Sequence, residues 1–255
     1  MSAKKGKVIA LTGKGGVGKS TIAALIIRYL KRHSEGPILA IDADPDANLA
    51  SLLGIEIEET IGDLREEVLR SIKELPAGMD KRTYIEAGFH QTIVETDKVD
   101  MIAMGRPEGP GCYCFVNNLL RKFTDDVLPT YEWIVMDNEA GLEHLSRRTA
   151  AKIDHLIVVV NENPLSVDCA KRIDDLVGDI GRSIGKKYFL LNGVREKREE
   201  VVREKMAALS LEEIGAVPVD EALDDAIFRG ESVYDLPDTP AVLAINRVME
   251  RIGEA

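Results

Sequence analysis

The sequence predicts an α/β protein with a doubly wound, mostly parallel β-sheet flanked by helices, and three observations favour this fold. Apolar runs alternate with helical patterns along the 255 residues. Several runs, such as residues 156–160, are continuously apolar, as expected for strands covered on both faces. Apolar residues make up 45% of the chain and aromatic residues only 5%, which suits buried strands of Val, Ile and Leu under helices.

The predicted elements alternate from end to end, which implies parallel strands joined by crossover helices. The predicted strands are 7–12, 38–42, 99–104, 133–136, 155–160, 188–191 and 216–219. The predicted helices are 18–33, 116–127, 142–151, 165–184, 196–209 and 241–252. The least regular stretch, 75–97, is expected to form a short hairpin or an excursion from the sheet. We find no repeat or linker, so we expect a single domain over residues 1–255.

Charge and composition argue against several classes of function. The net charge of −11 argues against nucleic acid as the main partner, because binding to phosphates requires a basic surface. No stretch approaches 18 apolar residues, so no membrane-spanning helix is predicted. Residues 1–7 are basic, but a predicted strand follows them where a signal peptide would have an apolar region. We therefore expect a cytoplasmic protein, in which three cysteines do not form a disulfide framework.

Residues 13–20 fit the phosphate-binding pattern G-x-x-x-x-G-K-[ST] and lie between a predicted strand and a predicted helix. The glycines let backbone N–H groups converge on the phosphates of ATP or ADP, and the helix N-terminus adds positive potential. Lys19 is expected to reach the β- and γ-phosphates, and the Ser20 hydroxyl to bind Mg²⁺. The nucleotide-binding residues predicted here are Gly13, Lys14, Gly15, Gly16, Val17, Gly18, Lys19, Ser20 and Thr21.

Carboxylates follow the second and the fourth predicted strands, and the carboxyl ends of parallel strands face the ligand crevice. The second strand runs into Asp42 and Asp44, and the fourth ends at Asp137 in the manner of a Walker B strand. We expect Asp137 in the outer coordination shell of Mg²⁺, with Asp42 supporting the ion through water. Asp46 and Asn48 are equally well interpreted as turn residues.

Two cysteines, Cys112 and Cys114, follow a Gly-Pro-Gly segment at residues 109–111. Two thiolates at this spacing can bind one soft ion if the backbone bends, but two sulfurs do not complete a metal site. A twofold dimer would supply four. The alternative is a pair of small, half-buried residues. Cys169 lies in a predicted helix and is expected to be a buried structural thiol.

The phosphate loop resembles the deviant Walker A motif of the MinD, ParA and nitrogenase-iron-protein class of ATPases, because it carries a second lysine, Lys14. The resemblance implies that Lys14 reaches across a homodimer interface to the partner's nucleotide. It also implies that Asp44 is the switch I aspartate that orients water for hydrolysis.

The same class holds adenine with an Asn and with a Pro-x-Asp segment that follow its last two strands. Asn192, Pro218 and Asp220 match those places. Asn192 offers both a donor and an acceptor to a base edge. The alternative is that Asn192 and Gly193 simply form a turn.

A narrower resemblance is carried by the C-x-C pair, by residues 118–121 and by residues 137–145. These segments are similar to those of the CooC-type ATPases, which mature nickel carbon monoxide dehydrogenase. This implies a homodimeric ATPase that holds Ni²⁺ or Zn²⁺ between the cysteine pairs of two subunits and delivers nickel. Residues 139–141 would form switch II, in which Gly141 permits movement when the γ-phosphate is lost, and His144 is the histidine worth testing.

Other functions are compatible with parts of this pattern. Metal delivery to acetyl-CoA synthase fits the same residues. A nitrogenase-type electron donor would carry a cysteine in switch II, and iron–sulfur scaffold ATPases typically use C-x-x-C. A ParA- or MinD-type positioning protein needs a basic face or a basic C-terminal helix, whereas residues 246–255 are mixed in charge. We therefore expect no nucleic-acid and no membrane partner.

Overall fold

The computed structural model describes most of the chain. The described residues are 6–44, 47–71, 81–105, 127–138, 152–180 and 184–254. Several predictions lie outside them and stay predictions: Asp46, Cys112, Cys114, residues 139–141, His144, nearly all of the helix at 116–127 and the helix at 142–151.

Eight strands of the described chain form one sheet in the order β3-β4-β2-β5-β1-β6-β7-β8. All neighbouring pairs are parallel except β3 and β4, which are antiparallel. This confirms the predicted fold class. The strands are β1 (Lys7–Thr12), β2 (Ile38–Asp42), β3 (Ile93–Val94), β4 (Val99–Ala103), β5 (Trp133–Asp137), β6 (Ile153–Val160), β7 (Ile184–Asn192) and β8 (Glu212–Val217).

Helices cover both faces of the sheet. They are α1 (Lys19–His33), α2 (Asn48–Leu53), α3 (Ile61–Ser71), α4 (Lys81–Gln91), α5 (Pro164–Ile180), α6 (Glu196–Met206), α7 (Glu221–Phe228) and α8 (Pro240–Glu254). Helices α1, α2, α7 and α8 contribute to one hydrophobic core, and α3 to α6 contribute to the other. None of the described helices is long and apolar enough to cross a membrane.

The central strand β1 shows why the apolar runs are continuous. Ile9 and Leu11 point into the core beneath α1, whereas Val8 and Ala10 point into the opposite core. Successive side chains of a strand alternate between its faces, so a strand covered on both sides needs apolar residues at every position. The same layout leaves the polar residues at the carboxyl ends of the strands, along one edge of the sheet.

Several predicted boundaries were wrong. The last strand begins at Glu212 and not at residue 216, because this edge strand starts with two glutamates that hide its pattern. The helix predicted for 165–184 ends at Ile180, and β7 begins at Ile184. Helices α2, α3, α4 and α7 were missed. Within 75–97 the chain forms helix α4 and then the short strand β3. Strand β3 pairs antiparallel with β4, and this pair corresponds to the expected hairpin.

Asp220 joins two helices that follow the last strand. Its Oδ1 accepts the N–H groups of Ala222 and Leu223, which caps α7, and its Oδ2 accepts the N–H of Ala241 in the first turn of α8. Burial raises the pKa of this carboxyl, but hydrogen bonds from the Thr239 side chain and from the backbone outweigh burial and lower the pKa. This structural role was not predicted from the sequence.

We expect Asp220→Ala to lower the free energy of unfolding by about 2 kcal/mol at neutral pH. Losing an N-cap costs about 1 kcal/mol, and the unpaired N–H of Ala241 adds about as much. Because the folded-state pKa of Asp220 is lowered, its contribution is complete at neutral pH and is lost as the pH falls through that pKa. Urea unfolding at neutral and acidic pH measures both effects. The control is Asp225→Ala in the same helix, and an equal loss in both variants would contradict the capping role.

Candidate functional site

The phosphate loop joins β1 to α1, and two of its glycines sit against the ends of other strands. Gly13 has a φ of 145°, and a Cβ there would lie 2.5 Å from the carbonyl oxygen of Val159 on β6. Gly18 has a φ of 90°, and a Cβ there would lie 2.3 Å from Nδ2 of Asn192 on β7. Neither position can hold another residue without strain, so the glycine spacing of the motif reflects the sheet beneath it.

The N-terminus of α1 is left available to an anion. Gly18 precedes the helix in a left-handed conformation and supplies no side-chain cap, and the first turn contains no acidic residue. The first N–H groups of a helix have no partner within the helix, and the helix dipole makes this end positive. Lys19, the first residue of α1, is buried beside them. This arrangement is suited to the phosphates of a nucleotide.

Asn192 supports the loop from below. Its Nδ2 donates a hydrogen bond of 2.8 Å to the carbonyl oxygen of Val17. The residue is the last one of β7, one position beyond the predicted end of that strand, and the contact fixes the loop relative to the sheet. The predicted contact between Asn192 and adenine stays a prediction.

Two buried carboxylates lie side by side where β2 and β5 end, since Asp42 is in register with Asp137 and both are fully buried. Asp42 accepts the N–H groups of Asp44 at 3.1 Å and Leu49 at 2.9 Å, so it holds the turn that leads into α2. The pKa of Asp42 is raised to about 6, mainly by burial. The charge of Asp44 also raises the pKa, whereas the two backbone hydrogen bonds lower it.

Asp137 differs from Asp42 because neither of its buried carboxylate oxygens has a hydrogen-bond partner of ordinary geometry. Burial raises the pKa of Asp137 to about 7. The nearby Ser20 hydroxyl and Lys19 counteract this increase, whereas Asp42 and Asp44 add to it. A buried carboxylate without a partner is costly, and a cation beside it would remove that cost.

These residues fit a magnesium ion. Mg²⁺ is usually bound by one or two carboxylates or hydroxyls together with substrate phosphates and water. Ser20 and Asp137 supply the hydroxyl and the carboxylate next to the phosphate loop. Among the described residues, no group of three or more His, Cys, Asp or Glu side chains is arranged to hold a metal ion by itself.

One structural residue of the site was not anticipated. Asn138 follows β5 and is 1% exposed. Its Nδ2 donates to the carbonyl oxygens of Leu11 at 2.9 Å and Met136 at 3.3 Å, and its N–H also donates to Leu11. These bonds hold the end of β5 against the end of β1, which places Asp137 opposite the phosphate loop. An amide residue directly after a strand was the only sequence signal for it.

A cavity of about 440 Å³ opens beside the loop. Binding pockets for small molecules typically measure about 300–1,000 Å³. Its wall combines six of the nine predicted nucleotide-binding residues and Asp44 with residues of α2 and the end of α7. The lining residues are Gly15, Gly16, Gly18, Lys19, Ser20, Thr21, Asp44, Asn48, Ser51, Leu52, Ile227, Gly230 and Glu231.

The remaining predicted residues have different positions. Lys14 is half-buried, and its carbonyl oxygen accepts the N–H of Val17 at 3.4 Å. Pro218 is exposed after β8, and Asp220 is occupied by the helix caps described above. Cys169 is a buried free thiol in α5, as expected of a structural cysteine.

Gly13 provides a test of the loop geometry. We expect Gly13→Ala to lower the free energy of unfolding by at least about 2 kcal/mol, because the new Cβ would overlap the carbonyl oxygen of Val159. Gly15→Ala is the matched control, since a Cβ at Gly15 would meet no heavy atom within 4 Å. Thermal or urea unfolding of the nucleotide-free protein measures both. Equal stabilities would show that the close approach at Gly13 is unimportant.

Solved structures of known proteins share this fold. The Pyrococcus furiosus cell division ATPase MinD superposes with a TM-score of 0.71 at 20% identity, covering 98% of this chain and 99% of that one. Aquifex aeolicus MinD gives 0.68 at 23% identity, covering 98% and 97%. At these identities the likeness shows the fold alone.

Two curated relatives match nearly the whole chain. An ATP-binding protein of Methanocaldococcus jannaschii is 39% identical over 248 residues, which is 96% of this chain and 98% of the relative. The carbon monoxide dehydrogenase accessory protein CooC of Rhodospirillum rubrum is 31% identical over 265 residues, covering 96% and 97%. The pattern of the CobQ/CobB/MinD/ParA nucleotide-binding domain family matches residues 8–233, which include the phosphate loop and both buried carboxylates. The chain therefore belongs to the CobQ/CobB/MinD/ParA family of nucleotide-binding domains.

Proposed function

We propose that this protein is a Mg²⁺-dependent, homodimeric ATPase that carries nickel or zinc on a cysteine pair from each subunit and supports nickel insertion into carbon monoxide dehydrogenase. The observation that carries the ATPase assignment is the phosphate loop facing the buried carboxylate of Asp137. Residues 1–255 would form a single ATPase domain, since strands from β1 to β8 share one sheet. We propose that this domain acts in the cytoplasm.

Each residue of the site has a distinct part in nucleotide binding. The N–H groups at the start of α1 and the Lys19 ammonium bind phosphate oxygens. Ser20 and Asp137 would hold Mg²⁺, which neutralises phosphate charge during phosphoryl transfer. Asn138 and Asn192 hold β5 and the phosphate loop in place. Asn192 is also proposed to contact the adenine base.

Hydrolysis requires a group that orients water toward the γ-phosphate. Asp44 lines the cavity beside the phosphate loop, and the turn that carries it is held by the carboxylate of Asp42. Its position therefore suits the water-orienting role. Lys14 would act on the nucleotide of the partner subunit, which links ATP binding to dimer formation.

The metal-carrying part of the proposal rests on the cysteine pair and on the relative from Rhodospirillum rubrum. That relative is named a carbon monoxide dehydrogenase accessory protein and matches nearly the whole chain. The described chain reaches Gly105 just after β4, at the edge of the sheet where the phosphate loop lies. Cys112 and Cys114 follow a few residues later, so nucleotide-driven closure of a dimer could make or break a four-sulfur site.

A membrane-positioning function receives less support. Helix α8 is amphipathic, but its apolar residues other than the exposed Leu243 pack into the core with α1. A helix that binds a lipid surface must present its apolar face to the membrane. The face of α8 that could serve this purpose is already used by the fold.

The ATPase assignment predicts separate effects on turnover and binding. Lys14→Ala and Asp44→Ala should lower ATP turnover by about 100-fold, the cost of removing one transition-state contact. Both variants should still bind ATP because Lys19 remains. Lys186→Ala, an exposed lysine of β7, is the control. Phosphate release and calorimetric binding measure the two quantities, and unchanged turnover in Asp44→Ala would remove Asp44 from the mechanism.

The metal assignment predicts one Ni²⁺ or Zn²⁺ per dimer with all-sulfur coordination. Cys112→Ala and Cys114→Ala should each abolish binding, since half of the ligands would be lost. Cys169→Ala should retain it, because that thiol is buried in α5. Metal analysis together with X-ray absorption spectroscopy tests this, and mostly nitrogen and oxygen ligands would refute it.

A further inference from the structure

The cavity beside the phosphate loop has a second end that the phosphate-binding motif does not explain. Its wall there is formed by Leu52 of α2 and by Ile227, Gly230 and Glu231 at the end of α7. Leu52 and Ile227 are partly buried apolar side chains that pack against the core. Glu231 is the carboxylate that lines this end.

The backbone turn that ends α7 places Glu231 in the wall. Gly230 has a φ of 70°, the left-handed conformation that commonly ends a helix. The N–H of Glu231 donates to the carbonyl oxygen of Ala226, and the N–H of Gly230 donates to that of Ile227, both at 3.0 Å. The position of Glu231 therefore follows from the helix end.

The residues after Glu231 are attached to α2 on the other side of the cavity. The N–H of Val233 donates to the carbonyl oxygen of Leu52 at 2.9 Å, and the Ser232 hydroxyl donates to that of Leu53 at 3.0 Å. Both sides of this end of the cavity are thus fixed to each other, so the wall is formed before any ligand binds.

The charge of Glu231 restricts what can lie beside it. Arg229 donates from Nε to Oε1 at 2.6 Å and from Nη2 to Oε2 at 3.2 Å, and this pairing lowers the pKa of Glu231. An ionised carboxylate only accepts hydrogen bonds, and it repels phosphate. A nucleotide whose phosphates occupy residues 15–20 would therefore meet Glu231 with its uncharged nucleoside part, which carries hydrogen-bond donors.

Two of the three residues predicted to hold the base have other partners in the structure. The amide nitrogen of Asn192 donates to the phosphate loop, and the carboxylate of Asp220 accepts three backbone N–H groups. Glu231 has its side chain about half exposed, at 48%, and so remains accessible from the cavity.

We propose that Glu231 recognises the nucleoside part of the bound nucleotide by accepting a hydrogen bond from the adenine amino group or from a ribose hydroxyl. Leu52 and Ile227 form the apolar walls beside it. This inference rests on the proposed binding of ATP. It adds a specificity-determining residue that lies outside the phosphate-binding motif and outside the Asn and Pro-x-Asp positions.

The test compares binding of nucleoside diphosphates, which are not hydrolysed, to the wild type and to Glu231→Ala by calorimetry. ADP should bind about tenfold more weakly to Glu231→Ala, the usual effect of losing a hydrogen bond to a charged group. Asp235→Ala, an exposed carboxylate in the same segment, is the matched control and should bind as the wild type does. Urea unfolding of both variants should match the wild type, which separates recognition from a structural role.

Three analogues identify the donor. IDP lacks the adenine amino group, and 2′-deoxy-ADP and 3′-deoxy-ADP each lack one ribose hydroxyl. The analogue without the donor should bind the wild type about tenfold more weakly than ADP does and should be insensitive to Glu231→Ala. Equal ADP affinity in the wild type and Glu231→Ala, or the absence of such coupling for all three analogues, would overturn the proposal.

The result also distinguishes this inference from the proposed function. If ADP binds the wild type, is lost in Lys19→Ala and is unchanged in Glu231→Ala, only the role of Glu231 fails. If the wild type binds no nucleotide, both the ATPase assignment and the role of Glu231 fail.

Discussion

The rest of the site depends on two carboxylates buried next to each other, Asp42 and Asp137, at the ends of adjacent parallel strands. Their proximity raises the free energy of the empty site, because burial disfavours both charges and each disfavours the other. Asp42 is compensated by backbone N–H groups, whereas Asp137 has no such compensation. The Ser20 hydroxyl and Lys19 offset the cost of burying Asp137 only in part, so this carboxylate is suited to a cation held next to the phosphate loop.

The surrounding structure maintains this arrangement against relaxation. Asn138 fixes the end of β5 to β1, and Asn192 fixes the phosphate loop to the end of β7. Neither amide needs to contact the nucleotide to be important, because a shift of either strand would change the distance between the cation and the phosphates. In this site, side-chain amides behind the ligand-binding groups hold the strand ends and the loop in fixed positions.

The sequence allowed the fold class, the boundaries of β1 and β2, the phosphate loop and the acidic strand ends to be predicted, since each has a strong local pattern. Other features depend on tertiary contacts. The edge strand β8 begins with two glutamates, and α2 is only six residues long, so neither has a clear periodicity. The second end of the cavity could not be predicted at all, because Leu52 and Glu231 are brought together only by tertiary hydrogen bonds between α2 and the segment that follows α7.

The hydrogen bond between Asn192 and Val17 affects how the phosphate loop becomes ordered during synthesis of the chain. The loop belongs to the first strand and helix of the chain, yet the hydrogen bond that supports it comes from Asn192, which is 175 residues away from Val17. A contact between such distant residues forms late, because the long intervening chain must be ordered first. On the ribosome, the phosphate-binding motif is translated early, but it lacks the supporting hydrogen bond from Asn192 until β7 has emerged. A nascent or truncated chain would carry the complete motif and still lack the site.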